Sequence, residues 1–244
     1  TVINRTGSFA DSGTIATLGD KAHGIFAQSL AGGGGNGGSV LSITGLASTS
    51  DSFVVGLNVG GFGGAGSSAG TVDVENYGLI ETRGDDAHGI LAQSIGGGGG
   101  NGGLALAITA LLGAPSNSPV IAVGGLGGDG GDANTVSVSN FGNIVTRGAG
   151  SHGIVAQSIG GGGNANMGIS LSGSTGTIAS NGFSALLGAA ASSDGGMGGR
   201  VFVENDGDIT VYGDGSAAFL AQSINGGGGS LALSFDGLSA LPSL

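Results

Sequence analysis

Three histidines, His23, His88 and His152, lie 65 and 64 residues apart in a chain of 244 residues. Imidazoles in one phase of a repeat suggest an acid/base or metal-binding ladder, since neutral imidazole carries protons near neutral pH and ligates metals. If one period spans about three coils of a β-helix, at roughly 20–22 residues per coil, equivalent side chains sit about 14 Å apart. That exceeds any shared zinc coordination, at about 2.0–2.1 Å per bond, and the fourth position in phase is Ala217. The histidines are therefore expected at corners, as structural residues. Gln28, Gln93, Gln157 and Gln222 share the period, each followed by serine and set among apolar neighbours. They are expected to bond to backbone inside the stack. Asn76, Asn140 and Asn205 fit corners, where asparagine tolerates left-handed backbone and bonds locally. Gly78, Gly142 and Gly207 then supply positive φ.

Gly124-Gly-Leu-Gly-Gly-Asp129 matches the opening of the calcium-binding nonapeptide Gly-Gly-x-Gly-x-Asp, which makes Asp129 a candidate calcium ligand. The corresponding tracts fail the pattern, with Ala65 and Arg200 at the aspartate position. The runs Gly32 to Gly38, Gly96 to Gly103 and Gly160 to Gly163 resemble phosphate-cradling loops, but no Gly-Lys-Ser/Thr follows them. They are expected either as wide loops or as extended polyglycine-II-like strands. Asp85-Asp86 reads as a solvated corner pair, and no catalytic residue or cofactor is expected, calcium apart. Thr17, Thr82, Thr146 and Thr210 recur once per period, too sparsely for an ice-binding face.

The elements that must position these residues follow from self-comparison. The glutamines are separated by 65, 64 and 65 residues, and repeats run approximately over 6–70, 71–134, 135–199 and a partial 200–244, with no separate domains. The first copy is weaker, carrying Asp11 where the others have asparagine. Thr71 to Glu75 and Leu79 to Thr82 alternate as strands, and Gly89 to Ile95 is apolar on both faces, the pattern of a strand covered twice. Leu104 to Leu112 reads as a strand with a helical alternative, and Val120 to Val123 as a strand. Such units stack into an all-β, right-handed parallel β-helix, about three coils per 65-residue repeat, eleven coils in all and on the order of 50–55 Å long.

Composition narrows the class. With 60 glycines and 3 prolines, Gly+Pro reaches 63 of 244 residues, a level that signals disorder in an aperiodic chain. Here 39% of residues are hydrophobic and only 9% charged, so a core is expected. Net charge is −11, which argues against nucleic acid or anionic lipid as partner. The absence of cysteine excludes a disulfide framework and suits export through an oxidising space. The first residues carry no basic segment before an apolar stretch, so the chain reads as a mature protein or excised piece.

Ala22-His-Gly-Ile-Phe-Ala-Gln-Ser29, Ala87-His-Gly-Ile-Leu-Ala-Gln-Ser94 and Ser151-His-Gly-Ile-Val-Ala-Gln-Ser158, each leading into a glycine run, resemble the glycine-rich repeats of autotransporter (type V secretion) passenger regions. Val-x-Val-x-Asn-x-Gly-x-Ile at Val72 to Ile80, Val136 to Ile144 and Val201 to Ile209 is similar to coil sequences of the same passengers. The resemblance implies display on, or release from, the surface of a Gram-negative bacterium, with roles in adhesion, aggregation or biofilm formation. It also implies an outer-membrane barrel C-terminal to this segment in the full-length protein. The expected function is an extracellular structural and adhesive rod, not an enzyme, contacting other copies of itself or a host or neighbouring cell. Two alternatives stand beside it, a self-assembling matrix filament and a carbohydrate-active β-helix enzyme.

Overall fold

The computed structural model describes residues 1–4, 13–48, 56–113, 120–163, 168–175, 184–187 and 194–227. These carry eighteen strands and no helix. The first five are β1 (Val2–Asn4), β2 (Thr14–Thr17), β3 (Ile25–Leu30), β4 (Val40–Ser48) and β5 (Gly56–Val59). The second five are β6 (Val72–Asn76), β7 (Leu79–Thr82), β8 (Ile90–Ile95), β9 (Ala105–Gly113) and β10 (Val120–Val123). The third set is β11 (Val136–Asn140), β12 (Ile144–Thr146), β13 (Ile154–Ile159), β14 (Gly168–Thr175) and β15 (Ser184–Leu187). The last strands are β16 (Val201–Asn205), β17 (Ile209–Val211) and β18 (Phe219–Ile224).

Every pairing is parallel and joins equivalent strands of successive sets. Sheet A is β1-β6-β11-β16, sheet B β2-β7-β12-β17, sheet C β3-β8-β13-β18, sheet D β4-β9-β14 and sheet E β5-β10-β15. Val72 faces Val136, which faces Val201, and Gln28, Gln93, Gln157 and Gln222 stand in one register. One period of 64–65 residues is thus a single layer that visits all five sheets, and the expected three coils per period are overturned. Four layers at about 4.8 Å each give a stack on the order of 19 Å, in place of the expected 50–55 Å. The expectation of three coils rested on a coil length of roughly 20–22 residues, but the strands of one layer face inward across the core rather than pairing with each other.

The alternation sets the core. Along β6 the burial pattern puts Val72, Val74 and Asn76 inside and Asp73 and Glu75 outward, as the period of two requires. Sheets A, B and C close around Val74, Val138, Ile80, Ile144, Ile90 and Ile154, all at most 1% exposed. Each such side chain contributes on the order of 1.5–3 kcal/mol on burial. Sheets D and E pack on each other around Ala105 and Ala122. The segment expected to be strand or helix at Leu104 to Leu112 is strand β9. Within each of the first three layers two glycine-rich connections, one leaving sheet C for D and one returning from E to A, bridge the two cores.

The register revises two phases. Asn4 pairs with Asn76 across 72 residues, whereas Ile15 pairs with Ile80 across 65, so the first layer holds extra residues between β1 and β2. Asn4 occupies the position assigned from sequence to Asp11, and β1 precedes the expected repeat start at residue 6; Asp11 itself lies outside the described residues. Val211, not Thr210, aligns with Thr146.

Candidate functional site

The polar side chains that recur along the sequence form columns running through the layers. The innermost is asparagine. Asn4 Nδ2 donates to Asn76 Oδ1 at 2.8 Å, Asn76 to Asn140 at 2.6 Å, and Asn140 to Asn205 at 2.6 Å. The same Nδ2 groups also donate locally, Asn76 to the carbonyl of Gly78 at 2.8 Å and Asn140 to that of Gly142 at 2.7 Å. Asn76 and Asn140 are fully buried. The local bond agrees with expectation, but the left-handed backbone does not occur here. Among the described residues positive φ falls on Lys21, Asp86, Gly150 and Gly215, one per layer, at the turn before the histidine or, in the fourth layer, before Ala217. Gly78, Gly142 and Gly207 are glycine for another reason: a Cβ there would strike the carbonyl of the preceding layer, Gly13, Gly78 and Gly142 respectively.

The glutamine column is made of side chains alone. Gln28 Nε2 donates to Gln93 Oε1 at 3.1 Å, Gln93 to Gln157 at 2.7 Å and Gln157 to Gln222 at 2.7 Å. It lies on the partly exposed face of sheet C, so the expected bonds to backbone are replaced by a side-chain ladder. The serine that follows each glutamine points inward. Ser94 Oγ donates to the carbonyl of Gly70 at 3.0 Å and accepts the amide of Asn134 at 2.9 Å, tying the returning connection to sheet C.

The histidines stack instead of standing apart. Ring centroids of His23 and His88 are 4.8 Å apart, and those of His88 and His152 are 5.0 Å apart. The expected separation of about 14 Å failed with the three-coil assumption. Each Nδ1 accepts a backbone amide from the next layer: His88 N at 3.1 Å, His152 N at 3.1 Å and Ala217 N at 2.9 Å. An atom that accepts an N–H cannot carry a proton, so the column is neutral. Burial holds His23 below its ordinary value. His88 is pushed down to about 4 by burial, then by its two histidine neighbours, with Asp86 pulling the other way. Parallel rings whose Nδ1 atoms are already engaged do not converge on one ion, and among the described residues no group of three or more His, Asp or Glu could hold a metal.

Carboxylates and amides at other corners do what the histidines do. Asp20 Oδ1 accepts the amide of Asp85 at 3.0 Å, and Asp85 Oδ1 that of Ala149 at 2.8 Å. Asn36 Oδ1 accepts from Asn101 N at 2.9 Å, and Asn143 Oδ1 from Asp208 N at 3.0 Å. Asp129, the calcium candidate, uses Oδ1 to accept the amide of Asp194 at 3.0 Å. On the outside, Glu81 meets both Arg83 and Arg147 at 3.1 Å, and these guanidinium groups, Arg147 foremost, hold its carboxyl below the ordinary range.

The glycine runs adopt the polyglycine-II-like alternative. Amides of Gly97, Gly100 and Gly103 donate to carbonyls of Ser67, Gly64 and Gly61 in the layer before. Amides of Gly125, Gly128 and Gly131 donate to Gly103, Gly100 and Gly97 in the same layer. A second set runs between layers, Gly34 to Gly98 and Gly99 to Gly162 in one column, Gly63 to Leu126 and Gly66 to Asp129 in the other. Donors three residues apart define a threefold backbone with one neighbour on each side. A Cβ at Gly96, Gly97, Gly99 or Gly100 would strike a facing carbonyl, whereas one at Gly98 meets nothing closer than 3.7 Å. Two positions in three must be glycine, and the third faces out. Phe62, Leu126 and Met197 occupy such outward positions at 65%, 42% and 65% exposure. Asp129 is another, so its match to the calcium nonapeptide arises from the Gly-Gly-x triplet. The signal that distinguishes the two is the strict spacing of three in Gly60-Gly-Phe-Gly-Gly-Ala65; Asp129 registers with Asp194, not with Arg200, which stands against Thr135.

No protein-family model matches this chain, and comparison with curated proteins and with solved structures finds no match.

Proposed function

We propose that this chain is a structural and adhesive segment of an extracellular bacterial surface protein, a right-handed parallel β-helix with the passenger role that its histidine-to-glycine motifs resemble. One observation carries the reading: the recurring asparagine, glutamine, histidine and corner aspartate side chains bond to the equivalent position of the next layer. Their chemistry is cohesion. A stack so tied resists proteolysis, because a protease must first free a backbone segment that neighbours hold on two sides. Its outward residues, the triplet positions of the glycine columns among them, meet other copies or a host or neighbouring cell. Surface display on a Gram-negative bacterium, with an outer-membrane barrel in the full-length protein, completes the proposal. No helix of the described residues is long and apolar enough to cross a membrane.

Beads coated with the purified chain test it. Mutual clumping of the beads, or their retention on bacterial or host cells above beads coated with an unrelated acidic protein, supports the reading. Free chains that polymerise into open-ended fibres favour a matrix filament, and release of sugar products from polysaccharide favours a carbohydrate-active enzyme. Beads that neither clump nor adhere count against the adhesive role.

A further inference from the structure

We propose that His23, His88 and His152 form an acid-released clasp, which fastens one corner of consecutive layers at neutral pH and lets that corner open in mild acid. The geometry supplies both halves of the device. Each Nδ1 accepts the amide of the equivalent residue one layer on, His88, His152 and Ala217. Protonation at an Nδ1 turns that acceptor into a donor that faces another donor, and its bond to the next layer is lost. The rings lie 4.8 and 5.0 Å apart, so each added charge also opposes the next.

The groups that face the stack do not cancel this. His88 is acted on by His23 and His152 and, in the opposite sense, by Asp86 alone. The ring of Phe26, tilted at 5.8 Å from His23, is uncharged. Asp20 and Asp85, in the turns just upstream, have an Oδ1 engaged with the amides of Asp85 and Ala149. Lys21 shares the first of those turns, and its amide donates to the carbonyl of Asp85.

The other columns locate the effect. Asparagine and glutamine do not titrate, so the asparagine column in the core and the glutamine column on sheet C hold while the histidine corner opens. An open corner binds protons at the ordinary value of 6.5, and the closed one, at His88, at about 4. Between those limits each pH unit shifts opening by up to tenfold for each histidine so displaced. The inference concerns the corner itself and stands whether or not the stack is adhesive.

Hydrogen exchange of the intact chain at pH 7 and pH 5, corrected for intrinsic rates, tests it. The amide of His152, held by His88, is expected to lose at least tenfold in protection at pH 5, and that of His88, held by His23, to lose protection with it, while those of Asn76 and Asn140 do not. In the triple variant His23→Asn, His88→Asn, His152→Asn, the side-chain oxygen takes the place of Nδ1, as Asn36 and Asn143 already do elsewhere, and the pH effect should vanish. Equal protection at both pH values in the wild type, or the same loss in the variant, would overturn the proposal. NMR titration of the wild-type imidazoles decides independently of whether the variant folds: His88 charging near 6.5 with its amide bonds intact also overturns it.

Discussion

The side-chain amide of Asn76 donates to that of Asn140 at 2.6 Å across 64 residues of sequence, with both groups fully buried. The pair fixes the relation between sequence and structure, since two side chains in that contact belong to adjacent layers. It also makes the core depend on a polar group that finds its partner only when the layers are in register.

Asn140→Ala should therefore cost about 2–4 kcal/mol. It leaves the buried Nδ2 of Asn76 without one acceptor, at about 1–3 kcal/mol for an unsatisfied buried group, and the Oδ1 of the part-buried Asn205 without its donor, at a smaller cost. Gln157→Ala interrupts a column of the same form on a partly exposed face and should cost less, about 0.5–1.5 kcal/mol. Chemical denaturation measures both. Equal losses would mean that burial does not govern the ladders.

The glycine columns predict a contrast between neighbours. Gly100→Ala drives a Cβ into the carbonyl of Gly35 and should destabilise by about 1–3 kcal/mol or more. Gly98→Ala, with 3.7 Å of clearance and no positive φ, should be neutral or stabilise by about 0.4–1 kcal/mol through the unfolded state. Thermal unfolding of the two variants reads the difference directly.

Gly215→Ala isolates the price of left-handed backbone. Its φ is 68° and a Cβ there meets no atom within 4 Å, so the cost is conformational alone, about 1 kcal/mol. Asp86 and Lys21 hold the same conformation in other layers at φ of 53° and 57°. Lys21→Gly should accordingly raise or leave unchanged the melting temperature.

Thermal stability should fall as pH drops from 6.5 toward 4. Folded His23 and His88 are lowered relative to the unfolded value of 6.5, so the unfolded chain binds more protons in that window and acid favours it. Above 6.5 this contribution is fully present. The loss is on the order of a few degrees in Tm, moderated because the rings are only half-buried. Glu81, held low by Arg147 and Arg83, adds its own loss only below its ordinary 4.5. A differential scanning series across pH 4 to 7 separates the two, and the triple asparagine variant should flatten the upper portion.

Strand positions and core faces were legible because alternation and apolar content are local properties. Leu79 to Thr82 and Val120 to Val123 are strands with the expected bounds. The periodic residues were legible too, but not what they touch. Periodicity says that His23 and His88 are equivalent and leaves open how many coils separate them, and the pairing of sheets A to E alone resolves it. The glycine runs hid a second period, of three, because Gly32 to Gly35 and Gly96 to Gly100 fill even the outward position with glycine. It surfaces where Asn36, Phe62, Asn101, Leu126, Asp129 and Met197 mark that position. The left-handed turn was missed because Lys21, a residue type that does not advertise positive φ, holds it in the first layer, and Asp86, whose type does, stands in a pair that reads as a solvated corner.

The claim on which all of this rests is that one 64–65-residue period is one layer. The chain has no cysteine, so a double variant Asp73→Cys, Phe202→Cys takes two spin labels without interference. Asp73 pairs with Ser137 and Ser137 with Phe202, which places the labelled backbone positions two layers apart, about 10 Å. Dipolar broadening in frozen continuous-wave spectra is the predicted result. A separation near 29 Å, read by pulsed measurement and matching about three coils per period, would contradict it.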